Sequence, residues 1–329
     1  MMRAIVSHLK SIVAVLAAFV LCVGCTQVPA LDENPWQVLS LPTESNLIDL
    51  DFTDDPQHGW LVGTQKTLLE TADGGQTWQP REVELPDDNT RFSAVSFSGA
   101  EGWIVGQPSI LLHTENGGDS WEQVPLSEKL PGQPTRIYAL GPDSAEMVTD
   151  VGAIYRTEND GQTWKATVQD ALGVFRNISR SPEGGYIAVS SRGNFYSIWQ
   201  PGEDSWQPHN RESSRRVQNM GFAPDGEFWM LARGGQLQFG NATEETWNDA
   251  LFPQKRSSWG LLDLAYRTPE EVWVAGGGGS LLASFDGGQT WKQDRDIEDV
   301  PSNFYRIKFF GDERGFVIGQ RGTLLRYRG

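Results

Sequence analysis

The stretch at residues 72–78 reads Ala-Asp-Gly-Gly-Gln-Thr-Trp, and variants of it return as ENGGDSW at 115–121, ENDGQTW at 158–164 and FDGGQTW at 285–291. Its chemistry is that of a tight loop. Asp or Asn side chains bond nearby backbone N–H groups, Gly takes positive φ without penalty, and Thr or Ser can satisfy a further loop group. The closing Trp sets the larger pattern. Trp36, Trp78, Trp121, Trp164, Trp206, Trp247 and Trp291 are separated by 42, 43, 43, 42, 41 and 44 residues. A fixed period of this size marks a repeat architecture.

Between successive tryptophans the pattern holds. Asn46–Trp78 runs NLIDLDF, TDDPQHG, WLVG, TQK, TLLET, ADGGQT and Trp; Arg91–Trp121 and Leu261–Trp291 repeat it. Each unit is four short β-rich runs, a to d, with turn signals every few residues, which reads as one propeller blade. In blades four and five the loop is degenerate, GEDSW (202–206) and TEETW (243–247). The chain ends complete the ring. The last unit runs from Phe304 through FVIG (316–319) to TLLRYR (323–328) and stops without a Trp-bearing strand d, whereas PWQVLS (35–40) precedes any a–b–c set. The expected fold is therefore all-β, a seven-bladed β-propeller. Its ring is closed by the N-terminal strand joining the last blade, so that no edge is left unpaired.

Residues 1–25 read as an export leader: Arg3 and Lys10 precede the apolar run 11–21, too short to span a bilayer. Gly24-Cys25 after that run resembles a bacterial lipoprotein box, with its Leu one position further upstream than usual. Cleavage there would leave Cys25 as a lipid-bearing N-terminus, residues 26–33 as a tether and residues 34–329 as the propeller. Fully extended, that tether spans at most roughly 28 Å. Cys22 and Cys25 are the only cysteines, so the folded body has no disulfide and no Cys metal site. Without its leader the chain carries 25 basic and 43 acidic residues. A net charge of −18 repels nucleic acid and anionic lipid and keeps a tethered protein soluble.

The residues argue against catalysis and against a metal centre or other cofactor. His58, His113 and His209 fall in three different blades without ligand spacing. GGGGS (276–280) lacks the Lys-Ser/Thr and helix of a phosphate loop and reads as a turn, and no G-x-S-x-G nucleophile turn occurs. The tryptophan loops resemble the Asp-box of sialidases and sortilin-type receptors, mainly a folding device. The sialidase F/Y-R-I-P motif is missing; FRNI (175–178) is the nearest string. An Asp-box glycosidase and a generic exported lipoprotein receptor stand as the alternative functions.

The arginines are distributed unevenly. Arg176, Arg180, Arg192, Arg211, Arg215, Arg216 and Arg233 lie between Ala171 and Asn241 against six acids, a net of +1 in an otherwise acidic chain. Arginine favours bidentate carboxylate recognition and stacking. Arg192 and Arg233 fall in b–c turns, Arg215 and Arg216 at the d–a step into blade five, and Arg176 early in strand a. Propeller d–a and b–c connections emerge on one face, so these side chains should gather near the channel rim. Arg91, Arg136 and Arg306, which start strand a elsewhere, are expected beside them; Arg180, nearer its strand end, fits less well. The alternative is scattered surface arginine balancing local acids.

The repeated loops, the lipoprotein leader and the arginine-bearing middle, with GWLVG (59–63), GWIVG (102–106), TENDGQTW (157–164), SSRGNFYSIW (190–199) and DGGQTWKQD (286–294), resemble the Ycf48/HCF136 family across essentially the whole mature chain. The resemblance implies a noncatalytic photosystem II assembly and stability factor on the lumenal side of thylakoids. Its implied partners are newly made D1 precursor and reaction-centre assembly intermediates. The family's arginine patch maps onto Arg176, Arg180, Arg192, Arg215 and Arg216, with Arg233 as a weaker addition. The lipobox suits a cyanobacterial member lipid-anchored to the thylakoid membrane through Cys25.

Overall fold

The computed structural model describes residues 28–329 apart from 86–88, 169–172, 212, 242–245 and 254–259. Cys25 and the leader lie outside the described residues. Among the described residues every regular element is a strand, and the strands form seven four-stranded antiparallel sheets. Blade 1 comprises Leu47–Phe52, Gly59–Gly63, Leu68–Thr71 and Gln79–Pro80. Blades 2 to 6 repeat this order, and blade 7 combines Phe304–Phe309, Gly315–Gly319 and Leu324–Tyr327 with the N-terminal strand Trp36–Leu39. Trp36 pairs with Tyr327 and Leu39 with Leu324, which closes the ring as the chain ends require.

The tryptophans seal the seams between blades. Trp36 of blade 7 meets Trp273 of blade 6 edge-on at 5.3 Å, Trp121 of blade 2 meets Trp60 of blade 1 at 5.7 Å, and Trp164 of blade 3 meets Trp103 of blade 2 at 5.8 Å. Each such pair contributes about 0.5–1.5 kcal/mol beyond area burial. The loops that deliver them are built alike. Asp73 Oδ1 accepts from Gln76 N and Thr77 N at 2.9 Å, its Oδ2 from Thr77 Oγ1 at 2.6 Å, and Thr71 Oγ1 accepts from Gly75 N at 2.9 Å. Asp286 repeats the arrangement, and the hydrogen bonds from Thr290 and Ser284 hold its carboxyl down at about 2. The second glycine is obligatory for space as well as φ: a Cβ on Gly118 (φ +97°) would collide with the Trp60 ring.

Two features depart from expectation. The segment 26–33 is docked from Val28 onward and is not a free tether. Ala30 forms a parallel bridge to Gln293, Gln293 N donates to Pro29 O at 2.7 Å, Leu31 N donates to Gln293 O at 2.9 Å, and Lys292 pairs with Asp32 at 2.7 Å. Strand d of blade 6 is an outer edge with unpaired backbone groups, and this segment covers it. Every strand a also carries a bulge, at its second residue in six blades and at Ser93, the third, in blade 2. The extra residue re-aims the chain, so the residue after the bulge lines or borders the channel in six blades, Asp49, Arg136, Asn177, Asn219, Asp263 and Arg306, whereas in blade 2 it is Ala94, buried in the core against blade 3.

Candidate functional site

The d–a and b–c connections form one face of the ring, here the upper face; the a–b turns and Asp-box loops form the lower. On the upper face, blades 4 and 5 are knitted together by short-range bonds. Ser191 N donates to Val174 O (2.9 Å), Val217 N to Gly193 O (2.8 Å) and Arg233 N to Arg216 O (2.9 Å). Side chains of the arginines reinforce this platform: Arg176 Nη2 donates to Ser191 O at 2.9 Å, Arg215 Nη1 to Arg233 O at 3.1 Å and Arg211 Nη1 to Arg215 O at 2.6 Å. The b–c turns present Arg192 and Arg233, the d–a step presents Arg215 and Arg216, and the bulge of strand a presents Arg176.

All five of these side chains are exposed. Among the described residues none is paired with a carboxylate, in contrast to Arg180, Arg267 and Arg306. Arg176 and Arg215 spend donors on carbonyls, which fixes their position while leaving their positive charge unbalanced. Five of the six local acids sit elsewhere: Glu183, Asp225 and Glu227 by the a–b turns and Glu203 and Asp204 in the box loop, on the lower face, while Glu212 lies outside the described residues. The near-neutral sum of this segment thus conceals a basic face and an acidic face.

Two apolar side chains join the arginines. Val174 is 55% exposed and Phe252 is 42% exposed, with the Arg215 guanidinium 5.4 Å from the Phe252 ring centroid. Sequence reading missed both. Phe252 belongs to the link into blade 6, and its packing under Arg215 has no periodic signature. Carboxylate-seeking arginines beside exposed apolar side chains suit an extended peptide segment carrying both kinds of group.

Arg180 does not join this surface. It lies at the far end of Phe175–Arg180, where Nε pairs with Glu146 Oε2 at 2.9 Å, Tyr186 Oη donates to the same oxygen at 2.7 Å, and the guanidinium lies 5.8 Å from the Tyr138 ring. Arg136 and Arg306 also leave the expected rim. The bulge turns both into the channel, a cavity of about 700 Å³ lined with Tyr138, Asn177, Asn219 and Asp263. There Asp49 takes Arg306 at 3.1 Å and Lys308 at 3.2 Å. Burial would raise the Asp49 carboxyl, but Arg306, Lys308 and Arg136 outweigh it and hold the group low. Asp263 accepts from Asn219 Nδ2 at 2.8 Å and Ile307 N at 2.9 Å, yet burial prevails and pushes it up to about 6. Asp49, Arg306 and Lys308 answer one another between blades 1 and 7, and Asp263 ties blade 6 to blades 5 and 7, while Arg136 has no ion pair among the described residues. Arg91 alone of the three remains exposed, bonded to Gln107 at 2.9 Å.

Comparison with known proteins agrees with this architecture. Residues 28–328 match the family described as photosynthesis system II assembly factor YCF48. The photosystem II assembly lipoprotein Ycf48 of Trichormus variabilis is 60% identical over 325 residues, 98% of this chain and 96% of that protein. A solved structure of YCF48 bound to a D1 peptide is 56% identical, with a TM-score of 0.89 over 92% of this chain and 99% of that one. YCF48 from Cyanidioschyzon merolae is 44% identical, with a TM-score of 0.82 over 90% and 99%. With the matched region spanning every blade of the ring, this chain belongs to the Ycf48 family of photosystem II assembly factors.

Proposed function

We propose that this protein is a noncatalytic assembly factor that binds the D1 chain of photosystem II through the upper face of blades 4 and 5. The observation that carries the reading is the group of five exposed arginines, without carboxylate partners among the described residues, on one face of an acidic ring. Arg176, Arg192, Arg215, Arg216 and Arg233 grip carboxylates of the client, and Val174 and Phe252 receive its apolar side chains. Support comes from the relative of 56% identity whose structure holds a D1 peptide. Photosystem II assembly and the lipoprotein character come from the names of the relatives. The same reading places the protein on the lumenal side of the thylakoid membrane, anchored through a lipid on Cys25, and extends its partners to reaction-centre assembly intermediates.

The test is capture of a D1 peptide by the Arg215→Glu/Arg216→Glu double variant. Each reversal exchanges an exposed attraction of roughly 0.5–1 kcal/mol for a comparable repulsion. The double variant should therefore bind roughly 30-fold or more weakly at low salt, with a shallower salt dependence. Capture equal to the wild type at every salt concentration would refute the arginine face as the binding site.

A further inference from the structure

The seam between blades 2 and 3 holds a group of side chains that the arginine face does not use. Glu101 opens strand b of blade 2 (Glu101–Gln107) and His113 lies on strand c (Ile110–Thr114). Asp143 and Asp160 reach the same place from the a–b turn and the Asp-box loop of blade 3. The donor atoms of Glu101, His113 and Asp160 all lie within 4.8 Å of one another. Asp143 borders them: its N–H donates to Glu101 Oε2 at 2.7 Å, and its carbonyl accepts from Asp160 N at 3.2 Å.

His113 is the decisive member. It is only 7% exposed and stacks on the Trp103 ring at 3.9 Å. Its Nε2 is buried without a hydrogen-bond partner, facing Glu101 Oε1 at 3.4 Å. A buried imidazole nitrogen normally finds a partner. This one points at carboxylates and stops short of a hydrogen bond. Among the described residues no Lys or Arg is paired with Glu101, Asp143 or Asp160.

Blade 1 supplies an internal comparison. There the same two positions carry the pair reversed, His58 before the Gly-Trp and Glu70 on strand c, and they bond at 2.8 Å. Arg81 completes that group by pairing with Glu70. In the blade 2 version the cation is missing and an extra acid has been added. Asp160 occupies the box position that is Gly74, Gly117 or Gly287 in blades 1, 2 and 6, where φ is +71°, +73° and +69°. Asp160 adopts φ +53° despite its Cβ, a conformation that disfavours ordinary side chains.

We propose that Glu101, His113 and Asp160, with Asp143 at the rim, bind a divalent transition-metal ion, Zn²⁺ or Mn²⁺, that staples blade 2 to blade 3. Imidazole suits Zn²⁺ and carboxylate oxygens suit Mn²⁺, so this mixed donor set can take either, and Zn²⁺ ligand distances of about 2.0–2.2 Å need only a small contraction of the group. Sequence spacing concealed the site because its donors come from two repeats.

The experiment uses the purified full chain, stripped with a chelator and titrated with ZnCl₂ or MnCl₂ by calorimetry and thermal melting. One ion should bind per chain and raise the melting temperature. Asp160→Asn, tolerated at positive φ, should melt no lower than wild type without metal. It should lose affinity by roughly 10-fold or more, at least what loss of an outer-shell partner costs. His113→Gln should lose affinity too, and His58→Gln should not. If His113→Gln fails to fold, Asp160→Asn decides alone. The proposal is overturned if neither ion saturates below about 1 mM, if Asp160→Asn binds as wild type, or if His58→Gln abolishes binding.

Discussion

Replacing Trp36 by Ala tests how the ring is held shut. Trp36 is 3% exposed and its indole meets Trp273 at 5.3 Å, Tyr327 at 5.1 Å and Phe309 at 5.9 Å. It is the side chain through which a four-residue strand, otherwise attached by its ladder to Leu324–Tyr327, reaches the blade 6 core. Truncating a buried Trp to Ala costs about 3–5 kcal/mol, a large part of an ordinary stability of about 5–15 kcal/mol. In a body of this size each kcal/mol shifts the melting temperature by about 2 °C, so the variant should melt about 6–10 °C lower. Calorimetry on wild type, Trp36→Ala and Val38→Ala makes the comparison. Val38 lies on the same strand but is 49% exposed, and its truncation should shift melting by about 1 °C or less. Deleting residues 34–41 should do more, because it also uncovers the edge of Leu324–Tyr327 and invites association. A Trp36→Ala protein melting within about 2 °C of wild type would refute this account of closure.

Other outcomes follow from the same geometry. Asp263 is an acid raised from 3.8 to about 6 in the folded protein, so between those pH values the native state holds a proton the unfolded chain has released. Its contribution is therefore full below about pH 4 and is lost as pH rises to about 6, by up to about 3 kcal/mol. The stability of wild type relative to Asp263→Asn, followed by urea titration, should fall across that window; a flat difference would contradict it. Asp73→Ala removes the acceptor of Gln76 N, Thr77 N and Thr77 Oγ1 and should cost about 1–2 kcal/mol in thermal or chemical unfolding. Asp73→Asn should cost less, since Asn116 and Asn159 fill that position in blades 2 and 3. Phe252→Ala should weaken D1-peptide binding several-fold without changing its salt dependence, measured by titration calorimetry.

The fold was legible because its determinants are local and repeated. Each box loop makes its own hydrogen bonds and each Trp fills the same seam, so the period survives even where GEDSW keeps a single glycine and TEETW has none. The end strands were legible because one repeat lacked what the other end possessed. The arginine face was legible from turn order alone, since strand direction decides whether Arg192 and Glu183 emerge on the same side. Two of the errors share one cause. A bulge at the second residue of strand a shifts side-chain facing by one position, which carried Arg136 and Arg306 from the expected rim into the channel. The docking of residues 28–31 was equally hidden. It depends on a free edge at Gln293, more than 250 residues away.

A net charge of −16 opposes recognition of an acidic peptide by the ring as a whole, and the separation of charge explains why the proposed arginine face escapes that opposition. The lower-face acids Glu183, Asp225 and Glu227 stand one strand length from Arg192, Arg215, Arg216 and Arg233. Strand a of blade 4 has six residues, which at about 3.3 Å each spans roughly 20 Å. The screening length at physiological ionic strength is about 8 Å. A peptide on the upper face therefore feels the arginines within contact distance, while the acids beyond the sheet are attenuated. The channel adds little to this field, because Asp49 is answered by Arg306 and Lys308. What the client meets is set by which connection carries each charge, and the repeat allows that choice. The box loops are bound by their own hydrogen bonds and their Trp, whereas the b–c turns and d–a steps can vary. The upper face is where this chain is free to be different from blade to blade, and in blades 4 and 5 it is different in one direction.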